Sequence, residues 1–183
     1  MTAGRPPGSI GVMETTFPSA DTRRGQHDQR SFLLQRAQPA MVGLIDGSLS
    51  TLAPIFAVAF ATHQTRYAFL AGLATAIGAG VSMAFSEGLS DTGDLTERGR
   101  PYLRGAITGA GTFLGGVLHT LPFLIPQYRP AVLLALAAVA AELLALAWIR
   151  RRFFGAGFAS SLLSVTLAGA VIATISAALG AVR

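Results

Sequence analysis

Five apolar stretches, each about twenty residues long, follow one another along this chain with only short polar links between them. A run of about 20 apolar residues is the length an α-helix needs to cross the hydrocarbon of a bilayer. The stretches run from about Ala40 to Ala61, Tyr67 to Ser90, Tyr102 to Ile125, Ala131 to Ile149 and Gly157 to Val182. Between them lie THQTR, DTGDLTERGRP, PQYRP and RRRFFGA, none long enough to fold by itself. Charged residues make up 13% of the chain, about half the share of an average soluble domain. The pattern predicts an all-α integral membrane protein with one domain of five transmembrane helices over residues 39–183.

Residues 1–38 read differently. The first thirty are rich in Gly, Pro, Thr and Arg and hold no apolar core of signal-peptide length, which predicts a disordered cytoplasmic tail. SFLLQRAQ at 31–38 suits a short amphipathic turn on the membrane surface, and Pro39 suits the first turn of the first span.

All fourteen basic residues are arginine. Placing the N-terminus inside puts Arg5, Arg23, Arg24, Arg30, Arg36, Arg98, Arg100, Arg104, Arg150, Arg151 and Arg152 on the cytoplasmic side. Only Arg66, Arg129 and Arg183 remain outside. That asymmetry predicts N-in, C-out. It also accounts for the net charge of +5 without nucleic acid, since no basic stripe is interleaved with aromatics. The absence of cysteine excludes disulfides and thiolate metal sites. No phosphate-binding glycine loop, nucleophile triad or zinc helix motif is present, so the expectation is a protein that is not an enzyme and holds no permanent cofactor. Gly72, Ala76 and Gly80 recur every four positions, as do Gly105 with Gly109 and Gly111 with Gly115. Such faces predict close helix packing in lipid and suit a two-fold homodimer.

Three acids lie inside the apolar stretches: Asp46, Glu87 and Glu142. A carboxylate at mid-membrane costs roughly 2.5–3.5 kcal/mol even on lenient scales, so each needs a partner, a water-filled cavity or a cation. With alternating spans, Asp46 and Glu87 fall at matching depth near the inner surface. Met83 precedes Glu87 by four residues and shares its helical face. Ser50 follows Asp46 by four, and Pro54 leaves the Ser50 carbonyl without its helical donor. Two carboxylates with a thioether suit a weakly held Fe²⁺ or Mn²⁺; as alternatives, Met83 fills packing space and the acids make interhelical hydrogen bonds. Glu142 reads as a proton carrier, a pathway ligand, a dimer contact or a partner for Ser160, Ser161 or Ser164. His119 suits a proton relay or a bond to a carbonyl freed by Pro122. Asp91, Asp94 and Glu97 stand where they can gather cations at the cytoplasmic mouth, or form a solvated link with Arg98 balancing Glu97.

The first two spans, VGLIDGSLSTLAPIFAVAFAT and FLAGLATAIGAGVSMAFSEGLSD, resemble the vacuolar iron transporter family. That family pairs an Asp-Gly in the first helix with a Ser-Met…Glu run in the second, here Asp46–Gly47 and Ser82–Met83…Glu87. RGRPYLRGAITGAGTFLGGVLHTLPFLIP and ELLALAWIRRRF resemble one branch, the membrane domain of bacterial membrane-bound ferritin-type iron exporters. The resemblance implies five spans, a homodimer with a pathway between protomers, and export of Fe²⁺ or Mn²⁺ from the cytosol in exchange for protons. It implies a bacterial plasma membrane and makes Asp46, Met83 and Glu87 pathway residues. Eukaryotic members carry a glutamate-rich metal-binding domain where this chain has its short 91–101 link. The ferritin-type branch carries Glu-x-x-His helices that are not found in this N-terminus. The alternatives are a membrane interaction module that moves nothing and a transporter of another cation.

Overall fold

A computed structural model describes residues 20–90, 92–93 and 98–181. The acids of the 91–97 link, Asp91, Asp94 and Glu97, lie outside the described residues, as do residues 1–19. What is described is all-helical, and four of its helices are long and apolar enough to cross a membrane.

The described part of the chain opens in helix at Ala20, within the stretch expected to be disordered. Helix α1 covers Ala20–Phe32, a π turn Leu33–Ala37, α2 Gln38–Ser50 and α3 Leu52–Thr62. From Arg24 to Thr62 these form one 39-residue helical rod. Extending a helix that already exists avoids the cost of nucleating a new one, so the polar residues before Leu33 continue the apolar helix instead of fraying. Pro39 therefore lies within the rod and does not open it. It has no N–H for the carbonyl of Gln35 and its ring crowds that carbonyl; the π turn over Leu33–Ala37 directly precedes it and absorbs the mismatch. Pro54 has the same consequence for Ser50, and the α2–α3 division falls at Thr51.

His63 adopts a left-handed conformation (φ 54°) and closes α3. Helix α4 then runs Thr65–Leu89, and α5 runs Pro101–Leu118. A 3-10 turn at Leu121–Leu124 takes up the rest of the expected third span, because Pro122 cannot continue the helix. Helix α6 covers Tyr128–Phe154 and ends at Gly155, whose φ of 64° suits a residue without Cβ. Helix α7 covers Phe158–Ala181.

Helix α5 is the member missing from the four strongly apolar spans. It is 18 residues long and rich in glycine and threonine. It packs on α2 along one side and on α4 along the other, and it is built inside out. Arg104, Thr108, Thr112 and His119, just past its end, are fully buried, while Tyr102, Leu114 and Leu118 on its other face are exposed. Water would reverse that arrangement; lipid favours it. Leu133, Leu163 and Leu179 extend the exposed apolar surface along α6 and α7.

The small-residue faces are used within the chain. A Cβ added at Gly115 would come within 2.6 Å of the Leu44 carbonyl on α2, and one at Gly109 within 2.5 Å of the Gly80 carbonyl on α4. Glycines of both partners let α5 lie backbone to backbone between them. These faces are therefore covered inside the protomer and give no support to a dimer. Around this centre, Leu52, Ile55, Phe56, Ala59, Ala68 and Phe123 form one core cluster, and Met41, Leu146 and Val165 a second.

Candidate functional site

Three groups of hydrogen-bonded polar side chains hold the buried and half-buried ionisable residues of the bundle. The first is at the end of α4. Arg104 Nε donates to Glu87 Oε1 at 2.8 Å, and Arg98 Nη2 donates to the same oxygen at 3.1 Å. Arg104 Nη2 also reaches Ser90 Oγ at 3.4 Å. The Arg104 side chain is wholly enclosed, whereas that of Arg98 is 28% exposed. Glu87 is thus held by two guanidiniums, and Arg98 pairs with Glu87.

The second group is on α2. Ser50 Oγ lies 3.0 Å from Asp46 Oδ1 and also bonds the Asp46 backbone carbonyl. One hydroxyl hydrogen is shared between these two acceptors, so the Asp46 carboxylate keeps acceptor capacity for something else. The i, i+4 spacing of Asp46 and Ser50 predicts this contact.

The third group joins three helices. His119, fully buried at the end of α5, has Nε2 2.6 Å from Thr51 Oγ1 and Nδ1 2.9 Å from Glu142 Oε2. Thr51 Oγ1 is also 2.8 Å from the Gly47 carbonyl. Glu142 Oε1 is buried without a partner. The histidine therefore bridges the break between α2 and α3 to the middle of α6. The partner of His119 is thus not a carbonyl freed by Pro122, and that of Glu142 is not a serine of α7.

The structure brings Asp46 to Ser50 and His119 to Glu142. No hydrogen bond or ion pair joins Asp46, Met83 and Glu87; Met83 is half-buried, one turn before Glu87. Among the described residues no three of His, Asp or Glu gather as a metal cluster.

Sequence reasoning missed Thr51 and the burial of Arg104. Arg104 is one of eleven arginines assigned to the inner surface, but the structure buries it against Glu87. A signal was present. Arg104, Thr108, Thr112 and Gly116 recur every four residues, and so share one face with the glycines that predict tight packing. Thr51 gives no such signal, because its value comes from where α5 delivers His119. No protein-family profile, no curated protein and no solved structure matches this chain.

Proposed function

We propose that this chain is a multi-pass membrane transporter that exports Fe²⁺ or Mn²⁺ from the cytosol in exchange for protons. It would work as a homodimer with its N-terminus inside, in a bacterial plasma membrane. The observation that carries the reading is the inside-out α5, which buries His119 against Glu142 among helices whose outer faces are apolar. Ionisable groups retained at such depth are expensive, and proton and ion pathways are their usual use. Asp46, with spare acceptor capacity beside Ser50, is the carboxylate best placed to meet a cation. The preference for iron or manganese rests on the Asp46–Gly47 and Ser82–Met83…Glu87 pattern. Exchange of Glu87 from Arg98 and Arg104 to the metal would couple entry to breaking an ion pair.

A second reading is favoured by that same ion pair. With Glu87 occupied by two guanidiniums, the chain would be a membrane interaction module that carries no metal. Liposomes holding the purified protein separate the two. Uptake of Fe²⁺, Mn²⁺, Co²⁺ and Zn²⁺ is measured with and without a proton gradient. Asp46→Asn keeps shape and removes charge, and is expected to lower Fe²⁺ transport about tenfold, the equivalent of ~1.4 kcal/mol. Met83→Leu preserves volume, so folding survives, and its cost should be larger for Fe²⁺ than for Mn²⁺, which prefers oxygen ligands. Wild-type protein that moves none of the four ions under a gradient overturns the metal-export reading.

A further inference from the structure

Thr51 Oγ1 has two neighbours that both want its single hydrogen. The Gly47 carbonyl is 2.8 Å away and His119 Nε2 is 2.6 Å away. A hydroxyl donates once and accepts twice, so the protonation of Nε2 decides where that hydrogen points. With Nε2 bare, the hydroxyl donates to it and releases the Gly47 carbonyl. With Nε2 carrying a proton, the hydroxyl accepts from the ring and donates to Gly47.

Counting protons on the pair sharpens this. In the first arrangement Nδ1–H donates to the Glu142 carboxylate at Oε2, and His119 and Glu142 hold one proton together. In the second they hold two, either as imidazolium with carboxylate or as Nε2–H imidazole with a carboxylic acid donating to Nδ1. A second proton has no good place on Glu142 Oε1, which is buried with nothing to bond, and an unpaired buried O–H is costly. It therefore goes where Nε2–H results. Among the described residues, no other titratable group faces the pair from the middle of a neighbouring helix. Helices α3 and α7 contain none in their described residues; α4 has none between Tyr67 and Glu87, α5 none between Arg104 and His119, and α6 only Glu142 between Arg129 and Arg150. Asp46, on α2 and bonded to Ser50, is the next acid.

We infer that Thr51 is a positioning residue that converts uptake of one proton by the His119–Glu142 pair into a change in the last turn of α2. The proton arrives from water, Nε2 takes it, and the Thr51 hydrogen turns to the Gly47 carbonyl. That i to i−4 bond bends the turn from Gly47 to Thr51, between Asp46 and the α2–α3 division. Loss of the proton reverses the sequence. As the coupling step of transport this rests on the proposed function; the hydrogen reversal itself does not.

The test uses full-length protein in lipid nanodiscs with ¹⁵N-labelled histidine and His27→Gln and His63→Gln, leaving His119 as the single signal. As pH is raised, Nε2 is expected to pass from protonated to bare while Nδ1 stays hydrogen-bonded. Thr51→Val keeps the shape and removes the hydroxyl, and should change the mid-range ratio of the two forms about tenfold, equal to one pH unit. Thr51→Ser should restore the wild-type ratio. An Nε2 proton present at every pH, or a Thr51→Val titration matching wild type in folded protein, overturns the inference. Because no metal is used, a clear tautomer change together with liposomes that move no metal would remove the transport reading and leave the switch standing.

Discussion

Gly47→Ala is expected to destabilise the protein by about 3 kcal/mol, the upper end of what overpacking costs. A Cβ at Gly47 would overlap the backbone carbonyl of Thr112, with no flexible side chain to move aside. Gly43 meets the Thr108 carbonyl in the same way, so α5 cannot rotate to escape one clash without meeting the other. Gly78→Ala is the control. It faces open space on α4, and alanine is the better helix former by about 1 kcal/mol, so it should be neutral or stabilising. Thermal unfolding in detergent followed by circular dichroism reads both. Equal melting of the two variants would mean that the α2–α5 contact is looser than its geometry.

Arg104→Met should cost a similar amount for a different reason. It removes the buried guanidinium and leaves Glu87, 17% exposed, with Arg98. Breaking a buried pair from one side typically costs 3–5 kcal/mol, because a charge is left desolvated; with Arg98 still in place the lower end, about 3 kcal/mol, is expected. Adding Glu87→Gln removes the stranded charge and should recover part of the loss. Arg98→Ala, whose side chain is partly exposed, should cost less than about 1 kcal/mol. A double variant no more stable than Arg104→Met would show that the guanidinium acts by filling space.

Length and apolarity were enough to read the helical architecture, because a run of about twenty apolar residues satisfies its own backbone hydrogen bonds as a helix. Asp46 with Ser50 was also legible, since both are on one helix four residues apart. The same holds for the glycine spacing, although its use inside the protomer was not visible. The helix boundaries at Pro39 and over Ala20–Phe32 were misjudged because propagation from a neighbouring helix outweighs local polarity. Most of the site depends on contacts between helices that no periodicity encodes. Glu142 and His119 each stand out as costly residues in an apolar setting, yet nothing in either segment says that they meet, or that Thr51 completes the chain. Arg104 looked like a surface charge because it lies in the first turn of its helix; only the packing of α4 shows that it is enclosed.

The inside-out character of α5 has a consequence for how this protein is made. Newly synthesised segments are admitted to a bilayer one or two at a time, largely by apolarity, and arginine is among the costliest residues to admit, most of all at the helix centre. Helix α5, with Arg104, Thr108, Thr112 and the glycines on one face, is the segment least able to lodge alone. On the membrane reading, its expected inserting partner is α4, which precedes it and carries both the Glu87 counter-charge and the Gly80 groove. In a cell-free translation assay with microsomes or inverted vesicles, α5 behind an unrelated leader should be left in water more often than α5 behind α4. Arg104→Leu should abolish that difference. The ion pair at the end of α4 would then be made before the bundle exists, as part of a hairpin entering the lipid together.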